Sequence, residues 1–209
     1  PADMVIAQID AVLSDIGADA VKIGMIGTAA TAHAVAARLE ALSAIPIIFD
    51  PVMVATSGSA LADADTIAAF TRLMRIATLT TPNLPELAAL GGEAAVLAHG
   101  TALLVKGGHG TGDMLIDRLI ERGGAETLWS DPRIDTPHTH GTGCTLASGI
   151  ATGLAQGMTL PDAVARARRY VRAALASAPG LGQGHGPMGF PLDDFAAPSS
   201  VRPEEPPNA

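Results

Sequence analysis

Four short apolar runs, at 20–26, 45–49, 76–80 and 101–105, are separated by stretches whose apolar residues recur at helical spacing. Strand, helix, strand in repetition requires a crossover between each pair of strands, and a crossover of that length makes the pairing parallel. The runs lack the apolar–polar alternation of a strand with one wet face, so helices must cover both faces of the sheet. Between the runs, Thr28 is placed to cap a helix carrying Ala32, Val35, Leu39 and Leu42, and further helices are expected over 63–75 and 84–90. Ahead of them, Val5, Ile9, Val12 and Ile16 share one face of an amphipathic helix that stops at Gly17. Gly91 and Gly92 are expected to lead almost directly into the strand at 101.

After Lys106 the grammar changes. The segments 114–120 and 127–129 flank Glu121, Arg122, Gly123 and Gly124 with no helix between, which predicts an antiparallel hairpin at one sheet edge. Helices over 143–156 and 161–178 follow, with Leu146, Ile150 and Leu154 in line on the first and Val164, Ala167, Val171 and Ala174 on the second. The expected architecture is a three-layer α/β sandwich: a mostly parallel central sheet, helices on both faces and an antiparallel edge hairpin. One domain over 1–196 and a loose Pro- and Glu-rich tail over 197–209 complete it.

Composition narrows the function. With 13 basic against 21 acidic residues and a net charge of −8, the chain lacks the cationic surface that nucleic acid requires. One Trp, one Tyr and four Phe are too few for a base-stacking platform. No apolar run approaches the roughly 18 residues of a membrane helix. A single cysteine, Cys144, forms no internal disulfide, so a cytoplasmic protein is expected. The chain opens Pro1, Ala2, Asp3 without an initiating Met.

In an open parallel sheet ligands bind beyond the carboxyl ends of the strands and at helix N-termini. Asp50 ends the second run and precedes Pro51, where it either faces that crevice or caps a turn. Asn83 and Glu86 lie just past the third run, with the spacing of a capping box. Lys106 ends the fourth run and precedes Gly107 and Gly108, a plan suited to gripping an anion. Of the 13 basic residues only Lys22 and Lys106 are lysines; Lys22, inside its run, is read as snorkelling from the core. The strongest local feature is His140, Gly141, Thr142, Gly143, Cys144 and Thr145 opening a helix of small residues. Such a turn aims backbone N–H groups and the helix dipole at a phosphoryl group, and it favours the thiolate of Cys144 unless that cysteine is merely packed. His138 and His140 lack the carboxylate company of a zinc site. Arg166, Arg168, Arg169 and Arg172 avoid the apolar line of their helix and read as a solvated face, and Gly149 and Gly153 as close helix–sheet packing.

Taken in order, Lys22-Ile23-Gly24-Met25, Asp50-Pro51-Val52-Met53, Thr81-Pro82-Asn83-Leu84-Pro85-Glu86, Val105-Lys106-Gly107-Gly108-His109 and His140-Gly141-Thr142-Gly143-Cys144-Thr145 closely resemble the hydroxymethylpyrimidine/phosphomethylpyrimidine kinases of thiamine biosynthesis, within the ribokinase-like fold. The late Gly182-Gln183-Gly184-His185-Gly186-Pro187 fits the same family. Most ribokinase-like sugar kinases carry Asp where this chain has Cys144; the thiol is what the pyrimidine kinases and their pyridoxine-kinase-like relatives share. The resemblance implies ATP with Mg²⁺ as phosphoryl donor, and 4-amino-5-hydroxymethyl-2-methylpyrimidine and then its monophosphate as acceptors. It implies Cys144 as base, the amides of Gly141, Thr142, Gly143 and Cys144 as the anion hole and Lys106 as a phosphate ligand. It assigns Asn83, Gly107 and Thr139 to the nucleotide, Gly24, Met25 and Val52 to the pyrimidine, and Asp50 and Glu86 to the metal. A homodimer is expected with it. A pyridoxine or pyridoxal kinase of the same fold, or a noncatalytic nucleotide-binding relative, are the alternatives. The family's N-terminal strand–helix unit has no counterpart here, since the chain begins at the helix before Val21.

Overall fold

The computed structural model describes residues 1–42, 44–54, 60–110 and 112–191. Six strands form one sheet in chain order: β1 (Val21–Ile23), β2 (Ile47–Phe49), β3 (Leu79–Thr80), β4 (Ala102–Val105), β5 (Met114–Ile120) and β6 (Glu126–Pro132). β1 to β4 are parallel, and β5 and β6 form the expected antiparallel hairpin against β4. Helices are α1 (Ala2–Asp15), α2 (Ala29–Leu39), α3 (Ala64–Ile76), α4 (Leu84–Ala89), α5 (Glu93–Leu97), α6 (Thr142–Ala155) and α7 (Leu160–Ala176).

Three successive crossovers that all step one strand in the same direction, with the right-handed sense parallel units adopt, must leave their helices on one face. That face is a core in which Val35 and Leu39 of α2, Phe70 and Leu73 of α3, Leu87 of α4 and Val96 of α5 meet Ile23, Ile47, Phe49 and Leu103. Phe49 and Phe70, both fully buried, pack edge to face at 5.1 Å. The opposite face, Ile48, Leu79, Leu104 and Leu119, is left for the end of the chain to cover, and Leu146, Ile150, Val164 and Ala167 of α6 and α7 do so. The architecture is the expected three-layer sandwich.

Local chemistry sets the helix starts. Thr28, Asp63 and Asn83 each accept a hydrogen bond from the backbone N–H three residues on. Four expectations are corrected. The segment after Gly92 forms the short helix α5 before β4, with Val96 buried. Ile76 closes α3 and does not open a strand; β3 is only Leu79–Thr80. Gly149 and Gly153 pack helix on helix: a Cβ on Gly153 would stand 2.7 Å from that of Ala163 on α7, and one on Gly149 3.0 Å from that of Ala167. Arg168 is not on a solvated face. It is buried, its Nε donates to Asp117 Oδ2 at 2.7 Å and its Nη2 to Asp131 Oδ2 at 2.8 Å, and its guanidinium lies 5.5 Å from the Trp129 ring centre. The expected tail at 197–209 lies outside the described residues.

Strand parity then decides what reaches the α6 face. Side chains alternate along a strand, and Ile48, Leu79 and Leu104 face α6 and α7. Two residues further on, beyond the strand ends, stand Asp50, Thr81 and Lys106. Lys22 pairs with Ile48 in register and so shares that face.

Candidate active site

Asp50 follows β2 and is 1% exposed. Its Oδ1 accepts hydrogen bonds from Lys106 Nζ at 2.7 Å and Thr81 Oγ1 at 3.1 Å. Its Oδ2 lies 3.9 Å from Lys22 Nζ. The carboxylate therefore serves side chains of three neighbouring strand ends and not the turn at Pro51. Both lysines of the chain converge on it, so Lys22 belongs to the site and not to the core edge.

Asn83 caps α4, accepting from Glu86 N at 2.8 Å, while Glu86 Oε2 accepts from Asn83 N at 2.8 Å. The capping box is thus real, and the same Glu86 Oε2 stands 3.9 Å from Lys106 Nζ. Burial raises the Glu86 pKa above its usual 4.5, opposed by the Lys106 ammonium and reinforced by the Asp50 charge. Lys106 is held from its backbone as well, its N–H donating to Pro82 O at 2.9 Å. Gly107 donates its N–H to Asp117 Oδ1 at 2.8 Å, so what glycine supplies there is space: a Cβ would collide with the Ile116 carbonyl. Asp117 in turn carries Arg168, which ties the turn after Lys106 to α7.

The α6 turn closes the site from above. Gly141 adopts φ +85°, a left-handed conformation that favours glycine, and α6 starts at the next residue. Thr142 Oγ1 donates to Thr139 O at 3.1 Å, fixing the approach. A Cβ on Gly143 would lie 3.5 Å from Lys106 Nζ and 3.8 Å from Asp50 Oδ2, so the first turn of α6 sits directly on the Asp50–Lys106 pair. The first amides of a helix have no intrahelical acceptor and carry its positive end. Cys144 is exposed at this turn, which removes the alternative of a packed cysteine. The late glycine-rich segment lies against this turn: His140 bridges Pro187, and His185 Nδ1 stands 3.2 Å from Pro137 O.

Gly24 and Met25 follow β1, and Val52 follows Asp50 after the adjacent β2. Met25 is exposed and Val52 half-buried, each just past the carboxyl end of its strand. Three contributors were missed in the sequence: Lys22, Thr81 and Asp117. The scarcity of lysine was the available signal for the first and the place of Thr81 just past the third run for the second; nothing local marks Asp117.

The family model for phosphomethylpyrimidine kinase matches residues 1–189. The chain belongs to this family. A hydroxymethylpyrimidine/phosphomethylpyrimidine kinase of Streptomyces coelicolor is 43% identical over 203 residues, covering 90% of this chain and 74% of that protein. The thiamine biosynthesis bifunctional protein ThiED of Geobacter sulfurreducens is 44% identical over 202 residues, 90% of this chain but 41% of the longer protein. Among solved structures, an ADP complex of Bacillus subtilis pyridoxal kinase superposes with a TM-score of 0.81 at 27% identity, covering 90% of this chain and 76% of that one. The ribokinase-like expectation for the fold holds.

Proposed function

We propose that this chain is an ATP-dependent kinase that phosphorylates the hydroxymethyl group of 4-amino-5-hydroxymethyl-2-methylpyrimidine and then converts the monophosphate to the pyrophosphate. The observation that carries the reading is the stacking of the α6 turn, with Cys144 exposed on it, over the buried Asp50–Lys106 pair. Phosphoryl transfer asks for positioning and charge neutralisation more than for covalent help. The α6 amides at Gly141, Thr142 and Gly143 and the Lys106 ammonium attract the phosphate oxygens from two sides. Cys144 acts as the base for the hydroxymethyl proton as that oxygen bonds to the γ-phosphorus, while the bond from the γ-phosphorus to the β–γ bridging oxygen breaks and ADP leaves. Gly24, Met25 and Val52 border the pyrimidine, and Asn83, Gly107 and Thr139 lie on the nucleotide side.

Mg²⁺ favours oxygen ligands and commonly takes only one or two carboxylates beside water and phosphates. Asp50 and Glu86, both contacting Lys106, fit that donor set, and a divalent cation would offset the burial that raises the Glu86 pKa. Held there by Asp50 and Glu86, such an ion would supply positive charge against the phosphate oxygens.

A pyridoxal kinase is the second reading, favoured by the likeness to the Bacillus subtilis enzyme. A noncatalytic binder is disfavoured, because nucleotide binding alone gives no use to an exposed thiol over a paired lysine. The deciding experiment follows ADP release by the full-length protein with the hydroxymethylpyrimidine and, in parallel, with pyridoxal. Higher kcat/KM for the pyrimidine is expected; preference for pyridoxal would reverse the assignment, and ADP release with neither would end the kinase reading.

A further inference from the structure

We propose that Lys22 holds the phosphate already carried by the substrate in the second transfer, while Lys106 serves the incoming phosphoryl group in both. The inference rests on the two-step reading above. The chain spends two lysines on one carboxylate, and the two are placed differently. Lys106 reaches Asp50 at hydrogen-bond length and Glu86 at 3.9 Å, so one ammonium already serves both carboxylates. Lys22 is 3.9 Å from Asp50 Oδ2, too far for a hydrogen bond. Its side chain is only 19% exposed, and among the described residues that carboxylate is its one ionic partner. A largely buried ammonium with unspent donors is costly unless an anion completes it.

Its position names the anion. Lys22 lies on edge strand β1, and its Nζ stands 2.5 Å from where a Gly24 Cβ would be, so glycine at 24 is what lets the ammonium fold back over the start of the β1 loop. That loop leads to Met25, which the proposed function assigns to the acceptor, whereas Lys106 lies under the α6 turn, which it assigns to the transferred phosphoryl group. The two steps differ by one phosphate on the acceptor side. A phosphomonoester is largely dianionic at neutral pH, its second pKa being about 6.

In the second transfer a non-bridging oxygen of the substrate phosphate forms the new bond to the γ-phosphorus. The bond from the γ-phosphorus to the β–γ bridging oxygen breaks, and ADP leaves with that electron pair. No proton has to be removed from the attacking oxygen, but two more negative charges enter the site than in the first transfer. A second ammonium on the acceptor side is what that step adds to the requirements of the first.

The test compares full-length wild type with Lys22→Met and Lys22→Gln, measuring kcat/KM separately for the hydroxymethylpyrimidine and for its monophosphate. Each variant's melting temperature is the control for folding, and the ratio of its two rates is the readout. Loss of one charge-assisted hydrogen bond should lower kcat/KM for the monophosphate roughly tenfold to a hundredfold further than it lowers kcat/KM for the hydroxymethylpyrimidine. Equal losses in both steps, or no loss in either, would overturn the assignment and leave Lys22 as a charge that guards a sheet edge. A wild type that phosphorylates the alcohol but not the monophosphate would overturn the inference alone. Inactivity on both substrates would remove the functional reading and the inference with it.

Discussion

An exposed thiol has no packing to lose. Cys144→Ala should therefore keep the wild-type melting temperature while lowering the hydroxymethyl kcat by about 10² to 10⁴, the span of general-base loss. The monophosphate step, whose attacking oxygen is already ionised, should keep most of its rate; a near-normal hydroxymethyl rate in this variant would take the base role away from Cys144. Glu86 offers a test through pH. It ionises near 4.5 in the unfolded chain and at higher pH in the folded one, so the folded state holds the extra proton between those values. Stability then falls as pH rises through that window, relative to a side chain that cannot ionise. Glu86→Gln keeps the Asn83 cap, and in denaturant titrations from roughly pH 4 to 7 it should gain on wild type as pH rises. A gap independent of pH would mean that Lys106 cancels the burial. The same variant should need more Mg²⁺ for turnover; an unchanged requirement would leave Glu86 only its cap. Asp50, Glu86, Lys106 and Cys144 could be read from the sequence because each sits where an apolar run stops or a helix begins. Lys22 was marked only by the scarcity of lysine, and its pairing with Ile48 is what reveals which face of the sheet it joins.

At the scale of elements, α6 and α7 touch through glycine. Gly153→Ala improves helix propensity by about 1 kcal/mol. It also drives a methyl to 2.7 Å from Ala163 in a packed interface, where overpacking costs about 1–3 kcal/mol. A lower melting temperature is the expected outcome, and a raised one would show that the helices can separate without penalty. Arg168→Leu should be more damaging, about 3–5 kcal/mol in chemical denaturation, since Asp117 would stay buried with its charge uncompensated. The elements were legible where period and caps agreed, as at Thr28 and Asn83. α5 was missed because five residues are too few to display a period. Arg168 was misread because its carboxylates come from strands 51 and 37 residues earlier, which no local pattern records.

For the molecule as a whole, β1 is an edge strand, and Met4, Val12, Ile16 and Met25 nearby are exposed. Unpaired strand edges beside apolar surface favour association. A protein of these 209 residues should show a concentration-dependent mass by light scattering; a single monomer mass across the range would mean that this edge is inert. The order of the strands matters beyond the finished sheet. As a chain emerges from the ribosome, each new strand can dock on the one made just before it, so β1 to β6 and the first helical layer can condense early. Asp50 is then set in place 56 residues before Lys106 is made, and the α6 turn that crowns both comes later still. Until α6 and α7 are synthesised, Ile48, Leu79, Leu104 and Leu119 face water. Translation of α6 and α7 thus seals the second face and completes the turn over the Asp50–Lys106 pair in one event, and a nascent chain stalled before Gly141 lacks both for the same reason.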